Sequence, residues 1–283
     1  MKQNPFSLYD FMGYFVPGAV LIYGFLIIDV LEGSNDRSFS SYLILVLNSL
    51  PKLTLEGIIL MLIASYAIGH VLSFASSIFI ERYAIWMYGY PSRYLLSMSS
   101  KMIKDIFISH SWYGKTRMIF SALLIFPVVI SDLAFGKILK FDSFYARPLD
   151  STLIALVKLK ANRMLSKLIG DNETEVPSKN CEEYGDFFRI IQHYTFEKSL
   201  HHQSKFTNYV ALYGFLRTAT LITVISIWYL LYLSLYNGGF SWSLASALII
   251  LFIVGYSFFM GYMKFYRRYT LEGLMVLVAD EDV

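Results

Sequence analysis

Three groupings in this 283-residue chain carry side chains capable of chemistry. His70 lies in the middle of an apolar run, with Gly69, Ser73 and Ser77 beside it at four-residue spacing. An imidazole at membrane depth is costly to leave in lipid. It therefore marks one of two things: a helix seam with neutral His70 hydrogen-bonded across it, or a polar pore or proton-sensitive gate. Small residues at this spacing let helix backbones approach closely, so Gly69, Ser73 and Ser77 are the helix-packing candidates. Ser73, three residues from His70 on one helix, has a packing spacing rather than that of a nucleophile and its base. Arg217 sits about two turns into another apolar run. It snorkels to the inner headgroups, or it pairs with a carboxylate or a lipid phosphate. His70, Ser73, Ser77 and Arg217 are thus the polar or gating candidates within the membrane.

The second grouping is His193, Glu197 and His201, on one helix face, with His202 adjoining and Cys181 upstream. Two His and a Glu form a metal-ligand set. On one straight helix, however, two turns spread them over roughly 12 Å. One ion is then out of reach without a second element, and no metal is expected. The third is Gly114-Lys-Thr116, a P-loop fragment without the earlier glycine (position 109 is Ser) and without a preceding apolar strand. No G-x-G-x-x-G, no G-x-S-x-G and no paired cysteine occurs. The expectation is a chain that is not an enzyme and needs no cofactor.

The elements that must position these residues are apolar helices. The composition is 56% hydrophobic and only 16% charged, against about 25% charged in an ordinary soluble domain. Mean hydropathy is +0.51. Aromatics at 17% suit interfacial belts of Tyr and Trp. Four runs are long enough to cross a hydrocarbon layer of about 30 Å: residues 11–31, 55–79, 209–236 and 242–262. Pro17 bends the first, and Asp29 at its outer end is wetted. The segment 39–50 is too short to span and reads as an interfacial helix.

Charge sets the orientation. Of 24 basic residues, 17 lie between Arg82 and Lys205, and Lys264, Arg267 and Arg268 follow the last run. Only Arg37 and Lys52 lie in the segments left outside. Basic loops stay cytoplasmic, so both termini are expected inside. The resulting organisation is an all-α membrane protein with four transmembrane helices. Residues 1–80 form one transmembrane hairpin, 81–208 a cytoplasmic helical region, and 209–283 a second hairpin with a basic cytoplasmic tail. Lys264, Arg267 and Arg268 are the lipid-headgroup candidates, at roughly 1 kcal/mol per charge. The apolar segment 118–135, with Pro127 in its middle and Asp132 near its end, is expected to be a bent helix, half-inserted from inside or packed between spans. Gly89-Tyr-Pro91 ends the cytoplasmic extension of the second span, and 182–236 reads as one very long helix ending at the Asn237-Gly-Gly239 turn. The single cysteine, Cys181, excludes an internal disulfide framework. The N-terminus lacks a small-residue cleavage site, so the first span is expected to be retained.

Three stretches carry a resemblance: Tyr9-Asp10-Phe-Met-Gly-Tyr-Phe-Val-Pro17-Gly18; Ile68-Gly-His-Val-Leu-Ser73 with Ile80-Glu-Arg-Tyr83 and Gly89-Tyr-Pro-Ser92; and Tyr209-Val-Ala-Leu-Tyr-Gly-Phe-Leu-Arg217. Together they resemble small bacterial inner-membrane proteins, some of which are membrane components of anti-phage defence systems beside a soluble sensor or nuclease. The resemblance implies an oligomeric inner-membrane effector or membrane subunit that perturbs or senses the envelope through helix rearrangement. Its expected partners are membrane lipids, further copies of the chain and a cytosolic protein, with no direct nucleic-acid contact. It implies no catalytic residues. A membrane scaffold tethering a cytosolic partner is the alternative, and a small transporter or lipid-handling protein ranks third, because no inverted repeat is visible.

Overall fold

The computed structural model describes residues 10–32, 54–98, 112–169, 187–198, 200–236 and 242–280, and among these every regular element is helical. A π-helical turn (Phe11–Phe15) leads into α1 (Val16–Glu32). Helix α2 (Leu55–Ser76) is capped by the Thr54 side chain, which accepts from the Gly57 amide at 3.3 Å. A second π turn (Ser77–Glu81) carries α2 into α3 (Arg82–Tyr88). Gly89, at φ 78°, takes the left-handed position that stops α3, and Pro91 opens the short α4 (Pro91–Leu95). The expected stop at Gly89-Tyr-Pro91 is therefore where the chain turns.

Three helices are long and apolar enough to cross a membrane: 55–95, 202–236 and 244–279. A bent pair, Trp112–Leu124 (α5) and Phe126–Ile138, is a fourth if its two limbs make one span. The second limb comprises α6 (Phe126–Ser131) and a third π turn (Asp132–Ile138). The limbs meet at 82°. Pro127 causes the bend, since its ring clashes with the preceding turn and it has no N–H to offer. The bend frees the Leu124 carbonyl, and the Trp228 indole N–H donates to it at 2.8 Å. The Phe126 ring packs edge-on against the same indole at 5.0 Å. The first apolar helix is short within its described side chains, Phe11–Phe25. The expected interfacial helix at 39–50, Cys181 and the 237–239 turn lie outside the described residues, as do the side chains of Asp29 and His201.

Helix α1 packs on α2 through backbone contact. A Cβ on Gly18 would collide with the Ser65 carbonyl, and one on Gly69 with the Tyr14 carbonyl. The buried stripe on α2 is Ser65, Gly69, Leu72 and Ser76. The seam expected around Gly69 is thus filled within the chain by the first π turn and α1, and Ser73 and Ser77 flank it half-buried. Because the obstacle at Gly69 is backbone, it cannot rotate away. Gly69→Val is expected to cost about 1–3 kcal/mol by overpacking, read as a lowered melting temperature in detergent. Ala67→Val, on the exposed side of the same helix, should leave that temperature unchanged.

Helix α9 (Leu200–Tyr236) and helix α10 (Trp242–Ala279) are each about 55 Å long at 1.5 Å per residue. The tail expected after residue 262 is instead the continuation of α10. Its end, Leu274 and Leu277, is buried in a second core. That core also takes Leu95 and Leu96, Val157, Ala161 and Leu165 of α7 (Ser151–Ile169), and Phe187 and Ile191 of α8 (Phe187–Lys198). The first core gathers Leu72, Ile80, Tyr83, Ile125, Val128, Leu221, Phe259 and Tyr262. Residues 81–208 and 209–283 therefore share a core, and α10 runs through both cores.

The single helix expected over 182–236 is broken between α8 and α9. The Phe196 and Phe206 rings stack at 5.0 Å, whereas ten residues of continuous helix would separate them by about 15 Å. The Gln203 amide donates to the Phe196 carbonyl that the break frees. The physical reason is burial. Phe187, Ile191 and Thr195 form a buried stripe on α8, and folding back lays that helix on α10, where Phe188 meets Tyr269 edge-on.

Candidate functional site

Asp132 is fully buried in the first core. Three phenols donate to its carboxylate: Tyr83 to Oδ2 at 2.8 Å, and Tyr88 and Tyr145 to Oδ1 at 2.7 and 3.0 Å. The Tyr256 hydroxyl lies 3.4 Å from that of Tyr145. These tyrosines come from α3, from the turn after the bent pair, and from α10. Hydrogen bonds to an ionised acceptor are short and roughly twice as strong as neutral ones. This cluster therefore ties three elements to the lower limb of the bent pair. A Cβ on Gly136, one turn beyond Asp132, would press on Asp132 Oδ1 and stand 3.2 Å from the Tyr145 hydroxyl, so a side chain there would displace the cluster. Lys137 closes the outside, with its ammonium 4.2 Å from the centre of the Tyr88 ring and 3.0 Å from Asp142 Oδ2.

Burial, and then the Asp132 carboxylate, push the Tyr145 hydroxyl well above the ordinary tyrosine value. It remains a donor wherever the protein works. Its contribution to stability is complete below the unfolded tyrosine value of about 10 and is lost as pH rises through the folded one. Melting temperature is expected to fall above about pH 10, with a shallower fall in Tyr145→Phe.

The second polar joint is Glu81 with Arg217. The Arg217 Nη1 donates to Glu81 Oε2, its Nε to Ser76 Oγ at 3.1 Å and its Nη2 to the Ser73 carbonyl at 3.4 Å. Ser76 Oγ lies 3.3 Å from Thr218 Oγ1. Of the alternatives open to Arg217, the structure shows the carboxylate pair. The π turn at Ser77–Glu81 ends on Glu81, the third begins on Asp132, and the first contains Tyr14. A π turn inserts an extra residue and rotates the helix beyond it; the second and third here adjoin polar contacts between helices, and the first carries the Tyr14 ring that stacks on His70.

His70 is exposed on α2, outside the bundle interior. Its ring stacks on Tyr14 at 3.8 Å and meets Tyr66 edge-on at 4.5 Å. Ser77 Oγ donates to its own helix, at Phe74 O. Lys264 and Arg268 point outward, whereas Arg267 donates to the Arg147 carbonyl through Nε and Nη2. His193 and Glu197 are exposed on α8. His202, on α9, instead meets Glu272 of α10 at 2.8 Å, and Lys205 shares the same oxygen at 3.2 Å. Among the described residues no three ligand-type side chains converge. Gly114-Lys-Thr116 is helical, and Thr116 Oγ1 donates to its own helix backbone.

Sequence reasoning missed the tyrosines, and it noted Asp132 only as an obstacle to a simple span. The available signal was an acid inside an apolar segment in a chain with 22 tyrosines, since phenols are the donors that such a chain can bury most readily. Among the described residues the chain is all-helical, with three to four helices long and apolar enough to cross a membrane, consistent with a multi-pass membrane protein, and with buried polar joints between its elements. No family model, no curated protein and no solved structure matches the chain.

Proposed function

We propose that the chain is a multi-pass protein of the bacterial inner membrane, with both termini cytoplasmic, acting as an effector or membrane subunit of an anti-phage defence system. The observation that carries the mechanism is α10, one helix that belongs to both cores. In this reading the second core is the cytoplasmic receiver, consistent with the basic residues between Arg82 and Lys205. A partner that shifts the second core moves α10, and α10 carries Tyr256 of the Asp132 cluster into the membrane-side core. The joints at Asp132 and at Glu81–Arg217 hold one arrangement of the helices until that movement occurs. The chain performs no covalent chemistry and needs no cofactor. The Gly69 seam is occupied by the first π turn and α1, so self-association uses the outward face of α2, where Ile63, Val71 and Phe74 are exposed beside His70. His70 faces a pore only where copies meet. The defence setting rests on the resemblance in the spans.

The test is a bacterial host carrying the gene with its neighbours, challenged with phage while membrane potential is recorded. Depolarisation and reduced plaque formation that vanish on deleting this gene support the reading. Infection proceeding identically with and without the gene contradicts it. A tethering scaffold is the second reading, favoured by the size of the second core. It is separated from the first by protection that survives without any change in potential.

A further inference from the structure

A compact apolar patch stands out from the bundle just past the Asp132 cluster. Asp132 and Tyr145 are joined by a 3.0 Å hydrogen bond in the first core, so the chain between them leaves and re-enters the bundle at one place. On the way it exposes Ile138, Leu139, Phe141 and Phe144, at 77, 55, 39 and 70% of their surfaces. Large apolar side chains clustered this closely mark an interaction site rather than scattered surface. The projection is built into the fold. Lys140 takes the left-handed backbone, at φ 58°, the Ala146 amide donates to the Asp142 carbonyl at 2.8 Å, and the Phe141 and Phe144 rings meet edge-on at 5.9 Å. Lys137 and Lys140 are exposed among these side chains. Asp142, the loop's acid, is half-buried and engaged by Lys137, whereas Lys140 has no ion-pair partner among the described residues.

The position of the loop along α10 points to what covers it. Just before the loop, the Phe135 ring packs on Tyr256 at 5.3 Å. Just after it, the Tyr145 ring lies 6.4 Å from Phe259, and Arg267 donates to the Arg147 carbonyl. The loop is therefore tied to the stretch of α10 from Tyr256 to Arg267, about 16 Å of helix. In that stretch the apolar run of α10 gives way to Lys264, Arg267 and Arg268. In the proposed orientation this is the cytoplasmic surface of the membrane. There, apolar and aromatic side chains bury at the acyl boundary while lysines meet anionic headgroups. We propose that the 137–144 loop is an interfacial anchor, which inserts Ile138, Leu139, Phe141 and Phe144 into the inner leaflet and draws anionic phospholipid to Lys137 and Lys140. Asp132 and Tyr145 bracket the loop, so the anchor fixes the depth of their cluster in the bilayer. The proposal rests on the multi-pass reading of the fold and is independent of the defence setting.

The experiment uses the full chain in nanodiscs of mixed phosphatidylcholine and phosphatidylglycerol. In a Cys181→Ser background, which removes the single native thiol, Phe144→Cys carries an environment-sensitive fluorophore. A second sample carries it at Ile253→Cys, on the exposed side of α10 within its apolar run. Each is quenched by either lipid bearing a spin label high on its acyl chain, and by acrylamide from the water. At Phe144 both labelled lipids are expected to quench and acrylamide to quench weakly. Labelled phosphatidylglycerol should be preferred about fivefold, the effect of one lysine near an anionic surface, since Lys137 is shared with Asp142. At Ile253 the two lipids should quench equally. Lys137→Gln/Lys140→Gln should bring the preference at Phe144 close to one while lipid quenching persists. Lys140→Gln alone, which leaves the Lys137–Asp142 pair intact, carries the test if the pair does not fold. Strong acrylamide quenching at Phe144 with Ile253 still quenched by lipid places the loop in water and overturns the proposal alone. Shielding of Phe144 from both quenchers means that protein covers the loop, and also overturns it, as does equal quenching by the two lipids or a preference unchanged in the Gln variants. Ile253 open to acrylamide and untouched by lipid would overturn the multi-pass reading as well.

Discussion

Asp132→Leu is expected to destabilise the protein more than any other single substitution in the first core. The change removes one acceptor and leaves three buried phenols, Tyr83, Tyr88 and Tyr145, aimed at a methyl group. An orphaned buried donor costs about 1–3 kcal/mol. The three together put the loss at roughly 3–6 kcal/mol, since the hydroxyls of Tyr88 and Tyr145, 3.1 Å apart, can partly re-pair. Asp132→Asn keeps one acceptor oxygen and should lie between wild type and Leu. The order of melting temperatures in detergent, wild type above Asn above Leu, checks the claim. A Leu variant that melts within a degree or two of wild type would mean that the cluster does not hold the bent pair in place.

Arg217→Leu is expected to cost about 3 kcal/mol, the lower end of the range for breaking a buried ion pair. The lower end applies because the Glu81 side chain keeps 27% of its surface exposed while Arg217 keeps 12%. The loss comes from leaving the Glu81 carboxylate beside apolar helices without its partner. The double variant Glu81→Leu/Arg217→Leu should therefore recover most of it, because two apolar side chains fill the same gap without a stranded charge. A double-mutant cycle on melting temperature and chemical denaturation measures this directly. If the double variant is as damaged as the sum of the two single ones, the pair is not coupled and the joint is only a surface contact.

The parts of this fold that depend on local chemistry were legible in the sequence. Apolar runs gave the helices, Gly89 and Pro91 gave the stop after α3, and Pro127 gave the bend. Where competing arrangements shared one local pattern, the sequence could not choose. Residues 182–236 contain no proline to break a helix, yet α8 folds back because its Phe187–Ile191–Thr195 stripe finds a surface on α10. The four-residue repeat from Gly69 to Ser77 reads as one straight seam. The contact actually runs along Ser65, Gly69, Leu72 and Ser76, which is the stripe a 3.6-residue turn presents to α1 and α9. Glu81 and Arg217 are 136 residues apart and Tyr83 and Asp132 are 49 apart, so only the packing of α3, α9 and the bent pair could bring them together. The aromatic content reads as an interfacial belt, but several of those tyrosines are buried and serve as hydrogen-bond donors to a single carboxylate.

The proposed role requires that the chain work in an assembly, with a soluble partner engaging the second core. The most direct measurement is the native mass of the complex recovered from solubilised membranes of a host carrying the gene with its neighbours. The expected result is a homo-oligomer with a soluble protein bound, released by substitutions on the exposed faces of α7 and α8 but not by changes on the outward face of α2. A monomer that brings down no partner would contradict both the effector and the tethering scaffold.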